Sequence, residues 1–343
     1  MTEQVAGARY RAPTRRAILK AGAAVAASAV AMPLIGHFSP AVAAWPERPV
    51  KLLVPFGPGG PTDVIARVLA PALGEAIGAS VVVENKPGAG GNIGVGLAAR
   101  AEPDGYTVLV TSSTLVVNPM LYASVPYDPV KDFMPLVDMA GSPTAFAVQP
   151  KLGVATLAEF VALAKQRAGK LNYASSGFAT PAHLAGEFFK IRAGIDMAHV
   201  PFNGGGPAVQ SLLTGAVDMV STALPAAQPH IQSGTLKGIA VTGEKRWFDL
   251  PDVPTMVEAG YPGFVVDTFI AMLVPAKTPQ QIADRLTKET VAILKRPEFQ
   301  ARLRTLGFEA SAGGPDALRA RIAHELPMWG EIIKQAAIKP PQP

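Results

Sequence analysis

The sequence predicts an α/β protein of two lobes, with mainly parallel sheets flanked by helices. Three observations carry this. Short β-branched runs alternate with helical stretches along most of the chain, and repeated strand–helix units favour parallel sheets covered on both faces. A length of 343 residues, 49% of them hydrophobic, is enough for two sizeable cores. Lastly, Val54-Pro55-Phe56-Gly57-Pro58-Gly59-Gly60-Pro61 and Val200-Pro201-Phe202-Asn203-Gly204-Gly205-Gly206-Pro207 agree at Val, Pro, Phe, Gly, Gly and Pro at one offset of 146 residues. Each copy stands where a strand gives way to a helix, which points to two related lobes.

Val50–Val54 reads as a strand, and Pro61–Ile77 as a helix with proline in its first turn, where no intrahelical bond is lost. Residues 80–84 form a second strand, a Gly-rich loop leads to a helix over 92–101, and 106–110 is a third strand. Strand–helix pairs then recur: 171–174 with Pro181–Ala193, 197–200 with 207–214, 217–220 with 225–232, and a strand at 239–242. The last quarter is helical over 279–294, 297–306 and 315–337, where Leu318, Ile322, Leu326, Trp329 and Ile333 recur at helical spacing as packing residues.

Cysteine is absent, which excludes disulfides, a thiol nucleophile, thiolate metal sites and a lipid-modified N-terminal cysteine. The formal charge of +5 is unevenly spread. Residues 1–44 hold Arg9, Arg11, Arg15, Arg16 and Lys20 against Glu3 alone, so the rest of the chain is close to neutral. The Arg15-Arg16 pair, an apolar run over 21–35 and small residues at 41–44 read as a twin-arginine signal peptide, removed by cleavage near residues 43–44. The run is rich in Ala and Gly and broken by Pro33, a poor membrane span. Basic residues are not interleaved with aromatics, so nucleic acid is not an expected partner.

The chemistry is expected at the strand-to-helix turns. The first amides of a helix lack internal partners and its dipole adds about half a positive charge, so such a turn receives an anion without Lys or Arg. In an open parallel sheet these turns line the crevice beyond the strands' carboxyl ends. Segments 56–63, 86–92, 175–180 and 202–206 have this character, and Thr111-Ser112-Ser113-Thr114 adds hydroxyls suited to a carboxylate. Capping is the first reading of Asp63, and pocket lining that of Gly59 and Gly60. Phe56 and Phe202 stand between core and pocket wall. His183, one turn into its helix, stands between ligand contact and structural hydrogen bond.

Catalytic patterns are thin. Residues 86–94 lack G-x-G-x-x-G spacing, and no phosphate loop of the form G-x-x-x-x-G-K-S/T exists. His183, His199, His230 and His324 form no metal-binding pattern, and there is no G-x-S-x-G elbow. No catalytic residue, metal or cofactor is expected.

Several ordered motifs resemble the Bug-type receptors of tripartite tricarboxylate transporters. They are Pro55-Phe56-Gly57-Pro58-Gly59-Gly60-Pro61-Thr62-Asp63, Glu84-Asn85-Lys86-Pro87-Gly88-Ala89-Gly90-Gly91-Asn92, Pro103-Asp104-Gly105-Tyr106-Thr107, and Tyr173-Ala174-Ser175-Ser176-Gly177 with Pro181-Ala182-His183-Leu184. Segment 199–218 and Val253-Pro254-Thr255-Met256 continue the likeness, which spans residues 45–339. It implies a type II periplasmic binding protein, a Venus flytrap closing on a small carboxylate. It also implies ligand-binding residues Phe56, Gly59, Gly60, Thr62 and Asp63 on one wall. Ser175, Ser176, Gly177 and Thr180 fall on the other, with Phe202, Asn203 and Gly204 contributing; Ser112 and His183 complete the candidates. One departure is Phe269 where many members carry Trp, with Ala271 in place of a common Gly.

The sequence thus describes a non-catalytic, monomeric solute receptor, its lobes 45–143 plus 267–343 and 144–266. Its partners are a small carboxylate and the permease subunits of a tripartite tricarboxylate-type transporter. The rivals are a twin-arginine-exported enzyme with a non-covalent cofactor and a receptor feeding a sensor kinase.

Overall fold

A computed structural model describes residues 45–338; the expected signal peptide and its cleavage site lie outside the described residues. β1 (Val50–Val54) leads to α1 (Pro61–Ile77), β2 (Val81–Asn85), a 3-10 turn at Ala89–Gly91, α2 (Asn92–Ala99), β3 (Thr107–Ser112) and α3 (Thr114–Leu121). The long β4 (Phe133–Val148) is followed by α4 (Leu157–Gln166), β5 (Leu171–Ser175), α5 (Pro181–Ala193), β6 (Met197–Pro201), α6 (Gly205–Thr214), β7 (Met219–Ala223), α7 (Leu224–Gln232) and β8 (Lys237–Val241). The chain then returns through β9 (Asp267–Pro275) and closes with α8 (Gln280–Leu294), α9 (Pro297–Thr305), β10 (Glu309–Gly313) and α10 (Pro315–Gln335).

The helix limits follow from local chemistry. α1 starts at Pro61 behind an extended Gly60 and stops at Gly78, whose φ of 74° lets its amide reach Gly74 O at 3.0 Å. Its buried stripe, Ile65, Ala66, Leu69, Leu73 and Ile77, is the apolar face at helical spacing. α5 opens on Thr180, whose hydroxyl accepts the His183 amide, and ends on Gly194 at φ 60°.

In the first sheet β1 lies between β2 and β3, all parallel; β9 follows antiparallel to β3, then β4, then β10. In the second, β5 lies between β6 and β7, all parallel, and the end of β4 joins β7 to β8 by antiparallel ladders. The parallel pairs expected from the strand–helix units surround β1 and β5. Overall the pairing is mixed rather than mainly parallel, because β4 and β9 carry the chain between lobes without a crossover helix. β4 is hard to see in sequence, since Pro135, Gly141 and Pro143 interrupt it. The ladder with β9 absorbs the irregularity by register shifts between Pro135/Val137 and Asp138/Ala140.

Alternation along β4 builds two cores. Phe146 and Val148 face a cluster with Tyr173, Phe189 and Phe264, the Phe146 and Phe189 rings lying 5.2 Å apart. Ala145 and Ala147 face the other way, toward Val209, Leu212, Val220 and Trp247. Each fully buried Phe or Leu contributes about 1.5–3 kcal/mol.

Candidate functional site

Strand directions bring the turns to one place. β9 is antiparallel to both β3 and β4, so β4 runs with β1, β2 and β3, and their carboxyl ends point the same way. That way leads to Pro143, which pairs with Asp267; the next residue, Thr144, pairs with Ala223 at the carboxyl end of β7. β5 and β6 run parallel to β7 and end on the same side. Two sets of strand-to-helix turns, one from each sheet, therefore converge on the crossing at Pro143–Thr144.

The turn after β1 is shaped by Asp63, itself buried in the first turn of α1. Asp63 Oδ2 accepts the Gly59 amide at 2.8 Å and Arg67 Nε at 2.9 Å, while Oδ1 accepts Asn85 Nδ2 at 2.8 Å. Asn85 also donates to Phe56 O at 3.0 Å and accepts from the Arg67 guanidinium at 2.9 Å. Burial works to raise the Asp63 pKa, but the Arg67, Gly59 and Asn85 donors outweigh it and hold the carboxyl below the usual range. Gly59 sits at φ 82°, whereas Gly60 is extended and would accept a Cβ, its nearest neighbour being Gly57 O at 3.6 Å. The Thr62 and Asp63 amides fall in the first turn, where a helix has no carbonyl to offer them. Phe56 lies against Gly91 and so joins this turn to the 86–92 loop. Ser112, at the end of adjacent β3, shares a hydrogen bond of 3.3 Å with Thr114 Oγ1. Phe269 is wholly buried below the Arg321 guanidinium, 4.7 Å from its ring centre, and Ala271 is buried too, so both pack at the crossing rather than line a wall.

The turn after β5 is a denser network. Gly177 O accepts Ser175 Oγ at 3.0 Å and Thr180 Oγ1 at 2.8 Å, and Ser175 Oγ also meets His199 Nε2 at 2.7 Å. Ser176 Oγ reaches Thr180 Oγ1 at 3.5 Å. His183 Nδ1 accepts the Ala179 amide at 3.0 Å. The His183 and His199 rings stack at 3.9 Å. Burial pushes His183 down to about 4, Lys190 adding to it, and burial with His183 alongside pushes His199 down to about 3. The turn after β6 is laced on: Phe202 N donates to Ser175 O at 3.0 Å and Gly204 N to Ser176 O at 3.1 Å. Asn203 stands exposed between them.

The candidates thus fall into two groups. Phe56, Gly59, Gly60, Thr62 and Asp63 form one, with Ser112 on the neighbouring strand. Ser175, Ser176, Gly177, Thr180, His183, Phe202 and Gly204 form one bonded set in the other, with Asn203 exposed between the last two. Sequence reasoning missed Asn85, His199 and the exposed Phe178. Asn85 was legible in the Glu84-Asn85-Lys86-Pro87 motif, but an Asn–Asp bond across 22 residues has no local signal. A groove of about 720 Å³ between residues 150–155 and 249–253 opens at the far end of the second sheet, away from both groups.

Two α/β lobes joined by crossing strands, with uncharged donor turns converging on the junction, define a solute-binding protein. The chain belongs to the tripartite tricarboxylate transporter family of receptors, whose family model matches residues 65–338. It is 36% identical over 297 residues to protein BugT of Bordetella pertussis, covering 86% of this chain and 91% of that protein. The structure of the periplasmic binding protein BugD is similar at 37% identity with a TM-score of 0.73, covering 87% of this chain and all (100%) of that one. Rpa4515 of R. palustris with adipate is similar at 34% identity and a TM-score of 0.76, covering 87% and 100%. MatC of Rhodopseudomonas palustris with bound malate follows at 30% identity and 0.72, covering 84% and 100%. Family and neighbours are solute-binding proteins, not enzymes.

Proposed function

We propose that this chain is a periplasmic receptor that captures a small aliphatic dicarboxylate between its lobes. It then presents the ligand to the permease subunits of a tripartite tricarboxylate-type transporter. The observation that carries the reading is the pair of turns: each lobe offers helix N-terminal amides and hydroxyls, while Arg67, the basic residue beside the first turn, is already engaged by Asp63 and Asn85. Such turns receive carboxylates through dipoles and amides. Adipate in Rpa4515 and malate in MatC support a ligand with one carboxylate for each lobe.

In this reading lobe one comprises residues 45–143 plus 267–343 and lobe two 144–266, a division supported by the change of β4 partners at Pro143–Thr144. Contacts to both lobes exist together only in the closed form, so ligand shifts the population toward closure. Segment 1–44 exports the chain by the twin-arginine route, and the mature receptor is a monomer starting at Ala44 or Trp45.

The test is thermal melting of protein from the periplasm against adipate, malate and neutral sugars. A ligand at about 100 times its Kd stabilises by about 2.7 kcal/mol. A rise with dicarboxylates and none with sugars is expected. A rise with sugars alone overturns the carboxylate reading, and an intact mass that retains residues 1–44 overturns the cleavage.

A further inference from the structure

We propose that Asp63 and His183 are equivalent positioning residues, one per lobe, each holding the backbone of its ligand turn in shape, and that His199 completes the second clamp. The inference rests on the receptor reading above.

The equivalence is geometric. β1 and β5 are the central parallel strands of their sheets. Each is followed by a turn and a helix that opens on proline, Pro61 or Pro181, and the third helical residue is Asp63 or His183. In both, that residue's side chain accepts the amide four positions earlier, Gly59 at 2.8 Å and Ala179 at 3.0 Å. Both amides belong to left-handed residues, φ 82° at Gly59 and 61° at Ala179. For Ala179, which carries a Cβ, that conformation is disfavoured and needs a partner to hold it.

Neither acceptor is left for a ligand. Both Asp63 oxygens are bonded within the protein, and an ionised carboxylate facing another is repulsive. His183 Nδ1 is spent on Ala179, which fixes the neutral Nε2–H tautomer. The helix turn that carries His183 is braced from below: Tyr173 OH donates to Glu187 Oε1 at 2.7 Å and lies 3.2 Å from the His183 backbone carbonyl, and Lys190 Nζ holds Glu187 at 3.0 Å. His199 lies between Tyr173, 4.9 Å away, and His183, and fixes the Ser175 hydroxyl from which the turn departs.

The test has a ligand-free arm and a binding arm, run on the mature protein. In the ligand-free arm, nitrogen-15 shifts should report an unprotonated His183 Nδ1. Amide exchange at Ala179 should be slow in wild type and in His183→Asn, whose side-chain oxygen reproduces the Nδ1 acceptor. It should rise roughly tenfold or more in His183→Leu. In the binding arm, with adipate and malate as probes, His183→Leu and His199→Leu should each lose roughly tenfold in affinity while His183→Asn and His199→Gln recover most of it. Slow Ala179 exchange in His183→Leu, or full affinity in both leucine variants, overturns the proposal. Wild type that binds neither probe overturns the dicarboxylate reading instead, and the exchange arm still decides the clamp.

Discussion

The turn after β1 and the turn after β5 do one job with opposite chemistry. The first is held by an ionised carboxylate whose partner Arg67 is half exposed, with a side-chain accessibility of 51%. The second is held by a neutral imidazole inside a buried ring stack. Their clamp residues lie 120 positions apart (183 − 63), whereas the sequence match between Gly-rich turns has an offset of 146. That match pairs the turn of β1, a central strand, with the turn of β6, an edge strand. It records a shared solution to leaving a strand, not the correspondence of the lobes. Where the backbone conformation is what must be kept, different side chains can supply the acceptor, and letter-by-letter similarity is lost.

The largest expected effect separates ligand room from fold. Gly60→Val places its branch where a Cβ meets nothing closer than Gly57 O at 3.6 Å, so the fold should persist while calorimetry finds binding abolished. Wild-type affinity would remove the first turn from the site. Next comes the packing below the second turn. A Cβ on Gly186 would lie 2.3 Å from the Tyr173 ring, so Gly186→Ala should cost about 3 kcal/mol in urea unfolding and free the Ala179 amide. A lobe-one glycine under the first turn gives the control: Gly94→Ala meets backbone, Lys86 O at 2.6 Å and Pro55 Cα at 2.7 Å, and should cost as much while sparing Ala179.

Acidification sharpens the contrast further. His183 is depressed from 6.5 to about 4, so the unfolded chain binds the extra proton first and stability falls as pH drops from 6.5 through about 4. Asp63 is held below its ordinary 3.8, and its contribution is lost only below that. Amide exchange followed between pH 6 and 4, about the imidazole range, should therefore loosen Ala179 before Gly59; simultaneous loosening would mean one clamp, not two. The smallest effect lies at the crossing. Burial, with Glu325, Glu244 and Asp138 adding and Arg321 opposing, raises Asp267 from 3.8 to about 6. A raised carboxyl supports the fold at low pH and loses that support as pH rises through about 6. Its Oδ1 is buried without a partner while the residue as a whole is only half-buried. Asp267→Asn should therefore gain only about 1 kcal/mol at pH 8 and nothing below pH 4. An equal gain at both would exclude ionisation as the cause.

Much of the fold was legible because its helices are punctuated. Pro61–Ile77 and Pro181–Ala193 begin on proline and end on glycine, and both match the sequence reading residue for residue. The strands β4 and β10 were not, since their pairing depends on partners far away in sequence and, in β4, prolines mask the alternation. At the site, the turns were readable from Gly, Ser and Thr after β-branched runs. The network beneath them was not: Tyr173, Glu187, Lys190 and His199 meet only after β5, α5 and β6 have packed.

β4 has a mechanical consequence. One unbroken strand belongs to both sheets, and the residue at the handover, Pro143, has no N–H to donate to either ladder. Relative rotation of the lobes would then twist two adjacent strands, β4 and β9, where Pro143 itself has no amide in either ladder. In the receptor reading, the stiffness of that strand pair, rather than the slack of a linker, would set how far the lobes swing.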